Sequence, residues 1–406
     1  MQNVEIIYKN AKVRGILINE ANGLITIKAD NGYNLTFDRS EVEILSRVTI
    51  EEKKEKKTEV ESFGTGEKSI SILATGGTIA SRVDYETGAV KPVSDPRLLF
   101  GGTELESKFN IRVVNVMNQL SENMKPADWI HLARKVMDET KHSSGIVVSH
   151  GTDTMSYTSS ALAFMFERLA QPIIFVGSQR SSDRPSSDTK ENMEGAINFA
   201  ATDLGEVGIA MHKGISDGSI VLHRAVRSRK MHTSRRDAFE SIDTVHLAEY
   251  TSSVRFFSDY RKAEEENLLL DHLDEKVSII YFHPGLVASD VENMIEGKHA
   301  VVIMGTGLGH IAKDLIPVFK NFTKDGNFAI MTSQCIYGSV DMNVYSTGRE
   351  LIAAGVISAG DMVPEVAYVK AMFTLGNYGR EEFINVFNRN LRGEILNRLI
   401  PREVYI

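Results

Sequence analysis

The stretch Ile72–Ser81, ILATGGTIAS, leaves an apolar strand pattern on two glycines bracketed by Thr75 and Thr78. Glycine lets the backbone turn tightly and approach something small, and the threonines set hydroxyls beside that turn. The residues alone allow a phosphate cradle, a turn with no further role, or a nucleophile held at a strand end. The run before it, SISILA (69–74), is the first of several short β-rich runs: GIVVSH (145–150), PIIFVG (172–177), VGIAMH (207–212) and SIVLH (219–223). Between them, DWIHLARKVMDETK (128–141) and MSYTSSALAFMFERLA (155–170) carry apolar residues at helical spacing. This alternation predicts an α/β domain with a mostly parallel sheet covered by helices.

A charged, weakly periodic stretch, DYRKAEEENLLLDHLDEK (259–276), is read as a linker to a second set of strands. VSIIYFHPG (277–285), AVVIMGTGLGH (300–310) and NFAIMTSQC (327–335) predict a second α/β domain over 277–406, after a first over 68–258. Both sheets are expected to be Rossmann-like. Gly305, Gly307 and Gly309 imitate a dinucleotide fingerprint, but the spacing is incomplete and the next strand ends without the acidic residue that would hold a ribose.

Ahead of Ser69 the character changes. KVRGILIN, LITIK and YNLTF are separated by Asn22-Gly23 and Asn31-Gly32. Asn-Gly suits hairpin turns in which both central residues need positive φ. Residues 1–48 are therefore expected to form a small β-barrel of about five strands, either a stabilising appendage or an interaction face. Residues 49–67 carry the run EEKKEKKTE and are expected to be a solvated linker or a short exposed helix. The segment GTGEKS (64–69) precedes a strand instead of following one, which rules out a P-loop.

Composition narrows the function classes. The chain has 406 residues, 42% hydrophobic and 25% charged, enough for two large domains with a small extra one. A net charge of −8 argues against a chain built to coat nucleic acid. Cys335 is the only cysteine, which excludes a disulfide framework and a thiolate cluster, and it is expected in the core. The N-terminal MQNVEIIYKN lacks a signal pattern and no apolar run reaches the ~18 residues of a membrane span, so a soluble cytoplasmic protein without membrane contact is expected.

In open α/β sheets ligands gather at the carboxyl ends of strands. Those ends carry Thr75-Gly76-Gly77-Thr78, His150-Gly151-Thr152-Asp153-Thr154, Ser178-Gln179-Arg180 and the basic stretch RAVRSRKMHTSRR (224–236). There is no HExxH or CxxC. A hydroxyl is a weak nucleophile without a nearby base, and backbone N–H groups freed by glycine suit a developing oxyanion. A Thr–Lys–Asp set with glycine-flanked threonines is thus suited to acyl transfer from an amide. Each piece also has a plainer reading. Thr152 and Asp153 can cap the following helix, His150 can be structural, and the arginines can form a solvated face or a partner site.

TGGTIA (75–80) together with HGTDTM (150–155) resembles the paired signature of bacterial-type L-asparaginases, a likeness that runs from about Lys68 to the C-terminus. The resemblance implies a primary nucleophile at Thr78, an assisting mobile-loop tyrosine at Tyr85, a second threonine at Thr152 with its aspartate at Asp153, and an activating lysine at Lys230. It places the substrate's α-carboxylate on Ser121 of LSENM, with Gly77 and Gly151 lining the site. The family's glutamine after that serine is Glu122 here, and no match is found for the glutamate that a neighbouring protomer lends. The barrel, the charged linker and the wording SRVDYETGAV and GSQRSSDRPSSD resemble one archaeal branch of the family, the D subunits of glutamyl-tRNA(Gln) amidotransferases. That resemblance implies ammonia release from glutamine or asparagine. It also implies a partner, the amidotransferase E subunit, that holds tRNA(Gln) and uses ATP and Mg2+, no cofactor in this chain, and a homodimer within a heterotetramer. A stand-alone cytosolic asparaginase and a catalytically silent amino-acid-binding scaffold are the other readings.

Overall fold

The computed structural model describes residues 2–29, 33–49, 61–76, 81–83, 90–92, 105–180 and 186–399. Its largest sheet has nine strands. From one edge these are Val254–Phe256, Ala248–Tyr250, Ile220–Arg224, Val207–His212, Ile173–Val176, Gly145–Ser149, Lys68–Ala74, Phe109–Asn115 and Glu61–Phe63. The five strands from Val207–His212 to Phe109–Asn115 are parallel, and the rest pair antiparallel at the two edges.

The central strands are apolar along their whole length because both faces are covered. Side chains alternate between the faces. Ile146, Val148, Ile173, Phe175, Ile209 and Met211 join one buried cluster with the helices Pro126–Glu139 and Met155–Met165. Val147, Ile174, Val176 and Ala210 join the other with the helix Thr189–Ala200. The first cluster continues into Val302, Ile330 and the helix Pro364–Phe387 of the second domain, where Phe164 stacks on Phe373 at 5.9 Å.

Numbered by position in the chain, the five parallel strands lie in the order 2-1-3-4-5. The strand order therefore reverses between Lys68–Ala74 and Gly145–Ser149, and a crevice opens beyond their carboxyl ends. Thr75-Gly76 and His150-Gly151-Thr152-Asp153 leave the sheet at that crevice.

The second sheet is parallel, in the order Val277–Tyr281, Ala300–Gly305, Phe328–Ser333, Ile357–Ser358. The charged stretch before it is docked on the first domain: Leu268 and Leu269 pair with Arg168 and Phe166, and Lys262 bridges to Leu204. Cys335 is exposed, contrary to the expectation of a core position, because it lies just beyond the last residue of Phe328–Ser333.

Near the N-terminus, five antiparallel strands lie in the order Asn34–Asp38, Leu24–Ala29, Ala11–Ala21, Gln2–Tyr8, Val42–Thr49. Bulges at Glu5/Ile6 and Leu17/Asn19 bend this ladder around a small core of Val4, Ile6, Ile25, Ile27 and Val42. Asn22 and Gly23 have φ of 53° and 76°, the pair of positive values that an Asn-Gly hairpin turn needs.

The glycines of GTGEKS have a packing role. A Cβ on Gly64 would run into the Phe109 carbonyl and one on Gly66 into the Lys108 backbone. They let the chain pass closely as Glu61–Phe63 adds an edge strand to the main sheet, so the end of the segment expected to be a solvated linker belongs to the fold.

Candidate active site

The site is built first by backbone closeness at the crevice. The N–H and the hydroxyl of Thr75 both donate to the Ser149 carbonyl, at 3.2 and 2.9 Å, tying the two strand ends together. Gly76 has φ of 112°, and a Cβ there would run into the Gln119 backbone. Gly77, Thr78 and Tyr85 lie outside the described residues.

The second strand end is more crowded. Gly151 packs so closely on Ser121 that a Cβ would stand 2.7 Å from Ser121 Cβ and 2.9 Å from its Oγ. Thr154 Oγ1 donates to the Ser121 carbonyl at 2.7 Å. Ser121 is buried at this contact and Glu122 beside it is exposed. His150 is fully enclosed. Its Nδ1 donates to the Gly151 carbonyl at 2.7 Å, and burial pushes its pKa down to about 4. It is a neutral structural histidine at neutral pH.

Lys230 brings the chemistry together. Its Nζ donates to Thr152 Oγ1 at 2.9 Å and to Asp153 Oδ1 at 2.7 Å, across 78 and 77 residues of sequence. The lysine side chain is 15% exposed, while that of Asp153 is 66% exposed. Asp153 therefore holds the lysine with one oxygen and still faces the crevice. Thr154 occupies the cap position of the helix Met155–Met165, without a side-chain cap bond. With Thr152 and Asp153 both bonded to Lys230, the capping reading gives way to a Thr–Lys–Asp cluster.

Two features that the sequence did not disclose hold this cluster in place. Gly177 leaves room for the Thr152 methyl group, since a Cβ there would stand 2.6 Å from Thr152 Cγ2. Arg227, three residues before Lys230, is completely buried. It donates to the Ile242 carbonyl at 2.7 and 3.0 Å, to Asp361 Oδ2 at 2.9 Å, and to the Asp361 and Glu394 carbonyls at 3.0 and 3.1 Å. Lys230 ends the short strand Ser228–Lys230, which pairs with Phe239–Ser241. Arg227 therefore pins this ribbon to the second domain. The other arginines of the stretch are also paired within the chain: Arg224 with Glu206, Arg229 with Glu365, Arg235 with Asp237 and Arg236 with Asp217. Arg224, Arg227 and Arg229 are internal bracing, and the reading as a solvated face holds only for the exposed residues His232 to Arg235.

A hydroxyl held by an amine, with a carboxylate beside it at a strand-order switch point, is equipped to bind a small ammonium-bearing substrate and to direct a proton or a water. Comparison with known proteins agrees with that chemistry. Residues 69–262 match the family model described as Asparaginase, N-terminal, and residues 276–387 match the Glutaminase/Asparaginase C-terminal domain. Over 404 residues the chain is 63% identical to the glutamyl-tRNA(Gln) amidotransferase D subunit of Thermoplasma acidophilum, covering 100% of this chain and 99% of that one. It is 44% identical over 395 residues to the protein of the same name from Pyrococcus furiosus, covering 94% and 90%. Among solved structures it is similar to the thermostable L-asparaginase from Thermococcus kodakarensis. That likeness has a TM-score of 0.75 at 31% identity and covers 81% of this chain and 100% of that one.

Proposed function

This chain belongs to the glutaminase/asparaginase family, in the branch of the glutamyl-tRNA(Gln) amidotransferase D subunits, and from that premise we propose that it is the amidase subunit of a tRNA-dependent amidotransferase. It releases ammonia from glutamine or asparagine, and a partner, the E subunit, uses that ammonia to convert Glu-tRNA(Gln) to Gln-tRNA(Gln). The observation that carries the reading is Lys230 Nζ bridging Thr152 Oγ1 and Asp153 Oδ1 beside the glycine turns of the switch point.

In the proposed reaction Thr78 attacks the side-chain amide carbon while Tyr85 helps remove the hydroxyl proton. Backbone N–H groups near Gly77 and Thr152 stabilise the oxyanion, a contribution commonly worth about 3–4 kcal/mol of barrier. The C–N bond breaks, the nitrogen takes a proton and leaves as ammonia, and an ester to Thr78 remains. Water positioned by Thr152 and Lys230 then hydrolyses that ester, releasing glutamate or aspartate and restoring the hydroxyl. Asp153 holds the substrate ammonium and orients Lys230, Ser121 takes the α-carboxylate, and Glu122 and Gly151 line the same pocket.

ATP and Mg2+ act at the E subunit, which also carries tRNA(Gln). The working assembly is a homodimer of this chain within a heterotetramer in the cytoplasm. Among the described residues no helix is long and apolar enough to cross a membrane. The net charge of −8 and the internally paired arginines fit a chain that leaves RNA binding to its partner.

A stand-alone asparaginase is the second reading, favoured by the full-length match of the Thermococcus enzyme to this chain. The N-terminal sheet precedes both family matches and has no task in that reading. The test is ammonia release by the purified chain, alone and then with the E subunit and Glu-tRNA(Gln). Strong stimulation by partner and charged tRNA is the expected result. Fast, unstimulated release with a preference for asparagine would overturn the proposal in favour of the second reading.

A further inference from the structure

His212 ends the strand Val207–His212 and takes no part in the reaction above. Its side chain is 0% exposed. Its Nδ1 lies 2.6 Å from Asn192 Oδ1. The Asn192 amide can point only one way, because its Nδ2 donates to the Gly177 carbonyl at 2.9 Å and to Asp188 Oδ2 at 3.0 Å. Asn192 Oδ1 is therefore an acceptor, and the imidazole proton sits on Nδ1. Nε2 carries a lone pair, is buried, and has no hydrogen-bond partner.

That lone pair faces carboxylates. Glu191 Oε2 is 3.3 Å from Nε2 but outside hydrogen-bond geometry. Asp217 is close by, and one ligand atom from each of Glu191, His212 and Asp217 lies within 4.8 Å of the other two. A buried lone pair aimed among anionic oxygens is repulsive unless a positive charge stands between them.

We propose that His212 Nε2, Glu191 and Asp217 form a binding site for a single borderline divalent transition-metal ion such as Zn2+. The 3.3 Å between Nε2 and Oε2 is the edge of a tetrahedron with metal–ligand bonds of about 2.0–2.1 Å. Asn192 stands where an outer partner fixes the tautomer and aims the ring of a metal-bound histidine. Glu191 Oε2 is oriented in the same way by the Gly218 N–H at 2.9 Å. Asp217 also pairs with Arg236, and a carboxylate has lone pairs enough for an arginine and an ion together. The imidazole donor favours Zn2+, Co2+ or Ni2+ over Mg2+ or Ca2+, which prefer all-oxygen sites.

The ion would join three pieces of chain: the strand end, the first turn of the helix Thr189–Ala200, and the loop that carries Asp217. Through Asp217 it also engages Arg236, six residues after Lys230, which donates to the Ser186 carbonyl at 2.8 Å. The strand of His212 lies two positions from the strand that leads to Thr152, roughly 10 Å across the sheet. The site braces the rim of the crevice and stands apart from the reacting groups.

The experiment uses the full-length chain stripped with a chelator, titrated calorimetrically with Zn2+ and followed by visible absorption with Co2+. One equivalent should bind, with absorption typical of Co2+ in a low-coordinate site. Asp217→Asn keeps an exposed side chain that can still accept from Arg236, so it should move the metal-free melting temperature little and weaken metal binding at least tenfold. Glu191→Gln should do the same, and His212→Leu should abolish the Co2+ band. Equal affinity in wild type and all three variants would place the ion elsewhere and overturn the proposal. So would an absence of binding at tens of micromolar metal, or 15N spectra showing His212 protonated on both nitrogens and indifferent to Zn2+.

Discussion

Replacing Gly177 with alanine tests whether Thr152 must stand where the structure puts it. The new Cβ would lie 2.6 Å from Thr152 Cγ2, 3.0 Å from the His150 carbonyl and 3.4 Å from Met155 Cε. Carbon atoms in ordinary contact are about 3.5–4.0 Å apart, so the overlap with the threonine methyl is about 1 Å. Thr152 can relieve it by rotating its side chain, which swings Oγ1 away from Lys230 Nζ, or by moving with its backbone. A displacement of about 1 Å at a reacting group costs about 10²-fold in rate, or about 2.7 kcal/mol of barrier. Overpacking adds a stability cost of about 1–3 kcal/mol, so the assay must separate the two. Ammonia release at saturating substrate is measured together with the thermal midpoint. A second change supplies the control. Thr152→Ser keeps the hydroxyl and removes the methyl group, so Gly177→Ala added to Thr152→Ser should cost much less turnover than it does alone, the contact with the His150 carbonyl remaining. The steric argument is refuted by a Gly177→Ala protein that turns over within twofold of wild type. Losses that simply add in the double variant would refute it equally.

Lys230→Met keeps the aliphatic stem and removes the donor. Ammonia release should fall about 10²–10³-fold, while the thermal midpoint barely moves, since a pair with so exposed a partner is worth about 0–1 kcal/mol; turnover within tenfold of wild type would remove Lys230 from the reaction. Arg227→Met should cost about 3–5 kcal/mol in urea denaturation, because Asp361 is left buried without its partner; a loss below about 1 kcal/mol would deny the anchor. His150 and His223 are both enclosed, and burial pushes their pKa values from the ordinary 6.5 down to about 4 and about 3. Their folded values lie below the unfolded one, so the stability they support is complete above about pH 6.5 and is lost as pH falls, by about 2 kcal/mol each at pH 5. His150→Gln and His223→Gln should each flatten the urea midpoint between pH 7.5 and pH 5, and an acid shift unchanged in both variants would refute the burial argument.

Strand and helix alternation, the positive-φ Asn22-Gly23 turn and the two glycine–threonine strand ends could be read from the chain, because each is a local pattern of three to ten residues. What escaped is set by contacts between distant segments. Lys230 is marked by the family resemblance alone; nothing in RAVRSRKMHTSRR itself distinguishes it from five arginines, and the run taken alone suggests a basic surface. The partners that neutralise it, Glu206, Asp361, Glu365 and Asp217, are scattered across both domains. Gly177 looks like an ordinary strand-end glycine until the Thr152 methyl group is seen against it. Leu268 and Leu269 look like part of a charged linker because their pairing partners, Phe166 and Arg168, stand about a hundred residues earlier.

This dependence on distant contacts bears on why the site needs two domains. Thr152 and Asp153 are held by the first sheet itself, at a strand end packed on Ser121 and Gly177. Lys230 rests on a thinner support: among the described residues its three-residue strand pairs only with Phe239–Ser241, whose Ser241 Oγ meets His223 at 2.8 Å. Two short strands cannot hold a long side chain to a few tenths of an ångström in water. The missing constraint comes from either side of Ser228, where Arg227 grips Asp361 and the Glu394 carbonyl and Arg229 pairs with Glu365, all from the second domain. A fully desolvated arginine is costly wherever its acceptors are not already in place. The second domain therefore supplies acceptors that hold the ribbon, and with it the Lys230–Thr152 contact, in place.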